Sequence, residues 1–276
     1  MNHQGRRAMG LFVLLLGLSI GAVSAAPKAE LWPRWSGHDA QSTLTIDHQA
    51  WSDWIGRYLV IGDDGINRLA YQRVSDADHA GLKAYINSLA ALPISRYNRA
   101  EQQAFWINLY NALTVDVVLD HYPLDSIRDI KSGFFSSGPW GLELVEVEGE
   151  KLTLDDIEHR ILRPIWQDPR IHYAVNCASL GCPNLQPTAF TAANTERLLD
   201  TAAGEFVNHP RGARVDDGRL QVSSIYDWFE ADFGGNDAGV IAHLRAYAGD
   251  ELRQALIPVK RVSDDDYDWS LNRAPE

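Results

Sequence analysis

The sequence predicts an α+β fold, a single compact domain in which a long buried helix packs with small antiparallel strands and hairpins. Residues 99–121 place apolar side chains on every side of a helical pattern, as a helix inside a core does. Elsewhere, short apolar runs flank turn-forming pairs such as Asp217-Gly218, which is typical of β-hairpins. Long helices with scattered hairpins favour this class over a parallel βαβ series.

Apolar residues at helical spacing, together with capping residues, predict three helices in the first half of the chain. They are expected over residues 46–59, 75–93 and 99–121, with an extended segment at 67–74. In the second half we expect a hairpin (142–154), a short helix after Thr153, a helix (194–207), a hairpin (214–222), a short helix (223–235), a helix (240–247) and a closing strand (267–272).

The first 25 residues have the pattern of a secretory signal. Arg6 and Arg7 supply a positive start, residues 11–23 an apolar run, and Val23-Ser24-Ala25 a cleavage site of small residues. The apolar run is short and soon followed by polar sequence, which disfavours a membrane span. The chain is therefore divided into a signal peptide (1–25), an extended N-terminal arm (26–45), the α+β domain (46–272) and a tail (273–276).

Export is expected to place the protein in the periplasm, with release from the cell as the alternative. Removing residues 1–25 takes away two arginines and no acid, so the formal charge moves from −12 to −14. That charge disfavours nucleic acids and anionic membranes as partners. No later stretch is apolar enough for stable membrane insertion. The expected partners are a peptide, a glycan or a protein of the cell envelope, and we expect no cofactor.

Three polar residues interrupt the apolar surface of the long helix. Glu101, Asn108 and Asn111 fall on one stripe, at spacings of seven and three residues. A buried amide without a hydrogen bond costs about 1–3 kcal/mol, so the stripe must face polar groups. It either ties down the backbone of a neighbouring loop, which is the commoner role, or lines a site.

The chain has two cysteines, and both lie within residues 170–185. Large apolar residues occupy every second position at the start of this segment, at Ile171, Tyr173 and Val175. This period of two predicts a half-buried strand. Small residues, a glycine and a proline follow in residues 177–183, which predicts a tight loop. This segment is the centre of both functional hypotheses.

Three blocks and the end of the chain together resemble one family. They are residues 104–114 (AFWINLYNALT), 172–183 (HYAVNCASLGCP), 224–234 (SIYDWFEADFG) and 267–272 (YDWSLN). The combination is similar to the uncharacterised bacterial family catalogued as domain of unknown function 547, over residues 46–272. The resemblance implies a compact domain in an exported bacterial protein, and it supplies no catalytic residues.

In one hypothesis the protein is a Cys/His-dependent hydrolase or acyl transferase that acts on peptide or amide bonds in the cell envelope. The candidate catalytic residues are Cys177, His172, Glu101, Asn108 and Asn111. An extended chain would put the Cα atoms of His172 and Cys177 about 16 Å apart. A sharp turn is therefore required, or another base such as His209 or His243.

In the other hypothesis, which we favour narrowly, Cys177 and Cys182 form a disulfide in a non-catalytic binding or scaffold domain. Exported proteins form disulfides readily, and a loop this short contributes about 2 kcal/mol. A metal site of His172 with both thiols has only His159 as a nearby fourth ligand. We therefore expect no metal.

Aromatic residues raise the question of a sugar-binding platform. Most of them lie on apolar helical faces and are expected in the core. Trp140, in a glycine-containing loop beside Phe134 and Phe135, is the better candidate for exposure. Asp227 and Asp232 are expected to be helix caps or surface charges.

Overall fold

A computed structural model describes residues 27–131, 133 and 137–275. The predicted signal peptide, residues 1–25, and the loop residues Phe134 and Phe135 lie outside the described residues.

Helices make up most of the regular structure in the described residues. They are α1 (Gln49–Tyr58), α2 (Asp76–Ala90), α3 (Arg99–His121), α4 (Arg163–Trp166), α5 (Ile171–Ala174), α6 (Thr195–Val207), α7 (Ile225–Trp228), α8 (Asp237–Tyr247) and α9 (Asp250–Ala255). A π-helix (Asp156–Leu162) runs directly into α4. The predicted caps are confirmed, because Ser75 and Asn98 each accept a hydrogen bond from the backbone N–H three residues on. Within the described ranges, no helix combines the length and the apolar character needed to cross a membrane.

The strands are short and form three small sheets. They are β1 (Leu59–Ile61), β2 (Asn67–Leu69), β3 (Val145–Val147), β4 (Glu150–Leu152), β5 (Ala213–Asp216), β6 (Arg219–Ser223) and β7 (Val262–Asp266). The pairs β1–β2, β3–β4 and β5–β6 are antiparallel, and β7 adds to β6 in parallel. The predicted α+β class and both predicted hairpins are therefore confirmed.

Two predicted elements are wrong. Residues 170–176 form the helical turn α5 rather than a strand, since Ile171 to Ala174 are all buried and their alternation marks no exposed face. Residues 267–272 bridge several separate segments instead of forming a strand, and the strand lies before them as β7. The short strand expected within residues 67–74 is β2, and Tyr71–Arg73 after it is a 3-10 turn.

The helix α3 is the centre of the core, as predicted. Every residue from 101 to 115 is buried, including Glu101, Asn108 and Asn111. The surrounding hydrophobic cluster also contains Ile171 and Ala174, whereas Tyr173 belongs to a second cluster built by α6, α7 and α8. The short helix α5 therefore joins the two clusters, and the chain leaves it towards the cysteines.

Replacing Asn108 by alanine should destabilise the fold. Asn108 is 0% exposed, and its amide donates to the carbonyl of Phe190 at 2.7 Å and accepts from the N–H of Phe190 at 3.0 Å. Alanine would leave two buried backbone groups unsatisfied, so we expect urea unfolding to show a loss of about 2–5 kcal/mol. The matched control is Gln49→Ala on the exposed side of α1, with a change within about 0.5 kcal/mol. Equal stability of the two variants would contradict this role for Asn108.

Mild acid should destabilise the protein through His48. Its imidazole is buried, with Nδ1 2.7 Å from the hydroxyl of Tyr85 and no partner for Nε2 in the described chain. Burial lowers the pKa of His48 to about 4, against a smaller opposite effect of Asp47. The unfolded chain takes up this proton near pH 6.5, so the stability is complete above that pH and is lost progressively as the pH falls towards 4.

We therefore expect His48→Gln to reduce the fall in unfolding free energy between pH 7 and pH 5 by about 1–2 kcal/mol. Denaturant unfolding at a series of pH values measures the slope, with His38→Gln on the surface as the control. An unchanged slope in the His48 variant would show that the imidazole is protonated without cost in the folded state.

Candidate functional site

The two cysteines end a tight loop, residues 177–182, which is defined here as the sulfur corner. The side chain of Asn176 spans its base, donating to the carbonyl of Pro183 at 2.7 Å and accepting from the N–H of Ala178 at 2.9 Å. Ala178 has the left-handed φ of +59° that such a turn requires. These interactions bring the two ends of the loop together.

The C-terminal segment, residues 267–272, covers one side of the sulfur corner. The N–H of Leu180 donates to the carbonyl of Ser270, and the N–H of Gly181 donates to the carbonyl of Asp268, both at 2.8 Å. A Cβ on Gly181 would lie 2.8 Å from the backbone nitrogen of Asp268. Only glycine permits this approach of the two backbones.

The sulfur atoms of Cys177 and Cys182 lie 2.7 Å apart, and both cysteines are free. This spacing is longer than the roughly 2.05 Å of a disulfide bond, so the predicted disulfide is corrected to a pair of thiols in contact. The N–H of Cys177 donates to the sulfur of Cys182 at 2.9 Å. The hydroxyl of Tyr267 lies 3.0 Å from the sulfur of Cys177 and 2.9 Å from the hydroxyl of Ser179.

The two thiols share one ionisation. Burial, and then the neighbouring Cys182, raise the pKa of Cys177 well above its ordinary value. Burial also opposes a thiolate on Cys182, but hydrogen bonds from Cys177 and Tyr267 outweigh it and lower the pKa of Cys182. Cys182 is therefore the first of the two thiols to ionise, and its thiolate accepts the S–H of Cys177. Because Cys177 is partly exposed and Cys182 is buried, only the first can meet a large partner directly.

Arg211 adds positive charge behind the pair. Its guanidinium donates to the carbonyl of Leu180 at 2.7 Å and to the side-chain oxygen of Asn184 at 2.6 Å. Its Nε is buried and has no hydrogen-bond partner in the described chain. The charge of Arg211 contributes to the lowered pKa of Cys182.

The structure does not bring His172 to the sulfurs. Its Nε2 lies 2.7 Å from Asp232, its Nδ1 lies 3.6 Å from Glu158, and its ring stacks on Phe229 at 4.2 Å. Since residues 171–174 are helical, His172 points away from the direction in which the chain continues to Cys177. Among the described residues, no imidazole hydrogen-bonds to either sulfur.

His172 instead completes a buried ion cluster. Asp232 accepts from the Nε of Arg163 at 2.6 Å, and Arg163 lies 3.0 Å from the ring of His159. Burial opposes the charge on Asp232, but His172 and Arg163 hold its pKa at about 2. Asp232, expected as a cap or surface charge, is thus part of a network that fixes α5.

The polar stripe of α3 holds three separate segments. Asn111 donates to the carbonyl of Ala174 at 2.9 Å and accepts from the N–H of Asn176 at 2.8 Å, directly before Cys177. Asn108 holds Phe190, and Glu101 accepts from the N–H of Ile46 at 3.0 Å. Only Asn111 reaches the base of the sulfur corner, where it positions backbone and touches neither sulfur.

One group of side chains in the described chain has the spacing of a metal site. Nitrogen and oxygen atoms of His79, Asp116 and Asp120 lie within 4.8 Å of one another. The ammonium of Lys83 lies 2.8 Å from each of the two carboxylates and offsets part of their negative charge. The group is therefore a salt-bridge network between α2 and α3. The set of His172, Cys177 and Cys182 is not assembled.

Sequence reasoning missed two members of the site. Tyr267 belongs to the terminal block that supported the family resemblance, and its aromatic neighbours Trp228 and Trp269 lie in or beside those blocks. Those blocks were the signal that could have placed it near the cysteines. Arg211 gave no signal, because nothing in its surroundings distinguishes it from a surface arginine.

Residues 94–207 match the sequence model of the family described as "Protein of unknown function, DUF547". This segment is similar to that family. The matched residues include α3, α5, α6 and the whole sulfur corner, so the resemblance is confirmed for that part of the chain. Tyr267 and Arg211 lie outside the matched residues. No curated protein and no solved structure matches the chain.

Replacing Arg211 by methionine should raise the pH at which the thiol pair of the sulfur corner ionises. The variant removes a positive charge that stabilises the Cys182 thiolate, so we expect the midpoint of ionisation to move to higher pH. The rate of alkylation by iodoacetamide as a function of pH measures the midpoint. Arg211→Lys should keep most of the effect, and Arg214→Met, in the exposed hairpin β5–β6, is the control. An unchanged midpoint in the methionine variant would remove Arg211 from the site.

Proposed function

We propose that this chain is an exported protein whose sulfur corner exchanges thiols with the disulfide of another protein. The contact between Cys177 and Cys182 carries the proposal, because a second thiol occupies the position where a Cys/His enzyme has its imidazole. A resolving thiol beside an accessible one is the arrangement that thiol–disulfide exchange needs.

Each sulfur suits a different step. Cys177 is partly exposed and can approach a partner's disulfide, whereas Cys182 is buried behind it. For Cys177 to attack, Cys182 first loses its proton to solvent, and the proton of Cys177 then passes to the Cys182 thiolate across the 2.7 Å contact. The new thiolate displaces one sulfur of the partner and forms a mixed disulfide, and the departing thiolate takes a proton from solvent.

The second step returns the charge to Cys182. Loss of its proton is favoured by the N–H of Cys177 and by Arg211, which lower the pKa of this thiol. The Cys182 thiolate then attacks the sulfur of Cys177 and displaces the second sulfur of the partner. The partner's disulfide gains two electrons and becomes a dithiol, while Cys177 and Cys182 lose two electrons and become a disulfide.

The alternative of a Cys/His-dependent hydrolase has less support. Amide cleavage needs a group that protonates the leaving amine, and histidine commonly fills that role. His172, the predicted base, is engaged by Asp232 and Glu158, and His243 is hydrogen-bonded to the hydroxyl of Tyr173 at 2.7 Å. Thiol exchange needs no such group, since thiolates leave unaided at neutral pH.

The proposed location is outside the cytoplasm, in the compartment that the signal-like residues 1–25 indicate. Proteins there form and exchange disulfides, so a free thiol pair has substrates. The alternative of a non-catalytic binding or scaffold domain predicts that neither thiol of the folded protein reacts.

Glutathione disulfide added to the reduced protein without oxygen should convert both thiols into an internal disulfide and release both glutathione thiols. Cys182→Ser should stop at a mixed disulfide on Cys177, since the resolving thiol is missing. Cys177→Ser should react at least about tenfold more slowly, because Cys182 is buried. Mass spectrometry of the quenched reaction identifies each product, and the double serine variant gives the background.

Two results would contradict the proposal. If the thiols of the folded protein stay unreacted while those of the urea-unfolded protein react, the sulfur corner is structural. If the wild type accumulates the same mixed disulfide as Cys182→Ser, then Cys182 does not resolve. Release of amine from a peptide by the wild type but not by Cys177→Ser would favour the hydrolase instead.

A further inference from the structure

A row of four aromatic side chains runs along the surface to the sulfur corner, and it is defined here as the aromatic strip. The row is Trp140, Trp269, Trp228 and Tyr267. The ring centres of Trp140 and Trp269 lie 5.7 Å apart, those of Trp269 and Trp228 5.5 Å, and those of Trp228 and Tyr267 4.8 Å. All four rings are partly exposed. The strip is built from parts of the chain that are distant in sequence.

The strip ends at the reactive atom. Tyr267 contacts both Trp228 and Trp269 with its ring, and its hydroxyl lies 3.0 Å from the sulfur of Cys177. A partner polypeptide bound along the four rings would therefore place one of its residues next to the partly exposed thiol of Cys177.

Carboxylates border the strip. Asp227, Asp266 and Asp268 are exposed, and each is the immediate neighbour in sequence of one of the rings. Asp266 and Asp268 accept only nearby backbone N–H groups, from Tyr267 and Ser270. None of the three carboxylates forms an ion pair with a described residue. The exposed acids of β7, residues 264 and 265, extend the negative charge.

One cation lies on the strip itself. The guanidinium of Arg128 is 5.1 Å from the ring centre of Trp269 and donates to the hydroxyl of Ser137 at 2.9 Å. Its position shows that the rings accept a cation. Three unpaired carboxylates stand beside the rings against this one guanidinium, which suits an incoming chain that carries lysine or arginine.

We propose that the aromatic strip is the docking surface for the partner polypeptide, and that this partner carries basic residues next to its reactive disulfide. This inference rests on the proposed function, because it names the substrate class for the same sulfur corner. Aromatic faces attract apolar side chains and cations, and the bordering carboxylates select the cation.

A polypeptide fits the rings better than a glycan does. Sugar platforms present flat, open ring faces, whereas three of the four ring contacts here are tilted at 51°, 52° and 74°, and the fourth, between Trp228 and Trp269, is stacked at 26°. Much of each face is therefore covered by its neighbour. Edges and gaps between tilted rings accommodate side chains that differ in shape along a peptide.

Binding can be measured apart from the thiol chemistry. We expect a peptide with two lysines beside a serine, in place of the reactive cysteine, to quench the tryptophan fluorescence of the full chain. The matched peptide with two glutamates should bind at least about tenfold more weakly at low salt, because three exposed carboxylates each contribute a modest attraction. The difference should shrink as salt shortens the range of the charges, to about 10 Å at 0.1 M.

Variants assign the binding to the strip. Trp269→Ala and Asp268→Asn should each weaken binding of the lysine peptide several-fold. Trp166→Ala on α4 and Asp250→Asn on α9 alter an aromatic residue and an acid outside the strip, and they should bind as the wild type does. Unchanged thermal melting would show that the strip variants remain folded.

The outcomes separate this inference from the proposed function. Equal binding of the lysine and glutamate peptides, or no binding of either, overturns the docking surface even where glutathione disulfide reacts as expected. Binding of a chitin or peptidoglycan oligosaccharide that Trp269→Ala abolishes, with no peptide binding, would overturn it in favour of a glycan. If only the reaction with glutathione disulfide fails, the exchange chemistry is refuted. The preference for the lysine peptide over the glutamate peptide then still tests the docking surface.

Discussion

Asn111 lies in the middle of a helix that is buried on every side, and its amide holds the backbone on both sides of Val175. One pair of hydrogen bonds thereby fixes how the chain leaves α5. From there Asn176 draws the loop together, and the N–H of Cys177 meets the sulfur of Cys182. An apolar core alone could not set this direction, because hydrophobic contact has no preferred angle. The buried amide supplies the angle, and the surrounding core keeps water from competing for it.

The protein keeps two groups of ionisable side chains near α5 in different states. Around His172, two carboxylates and an arginine satisfy one another, so the cluster stabilises a fixed arrangement. At the sulfur corner, two thiols in contact share a single ionisation, which falls on Cys182. The proposed chemistry lies at the second group, because its partly exposed Cys177 can meet a partner. The first group behaves as a structural support for it.

Local signals predicted the parts of the fold that depend on local interactions. The caps at Ser75 and Asn98, the hairpins and the buried helix α3 follow from residues a few positions apart. The strand predicted at 170–176 was wrong because a segment buried on all sides has no exposed face from which to read a period. Likewise, the stripe of α3 was recognised, but its partners were not, since nothing local connects Asn108 to Phe190 or Glu101 to Ile46. Cys177 and Tyr267 are ninety positions apart in sequence, so no local signal predicted their contact either.

The segment 267–272 has a further consequence for how the chain assembles. Its backbone pairs with Leu69 through Asn272, with Asp125 through Leu271, and with Leu180 through Ser270. We expect contacts between such distant positions to form late in folding, because long loops must close first. A newly made chain would then contain the two thiols before the segment that delivers the tyrosine hydroxyl and the aromatic rings has packed against them. Oxidants that reach the thiols during this interval meet them without Tyr267, so the order in which the parts assemble can itself determine the redox state in which the two cysteines mature.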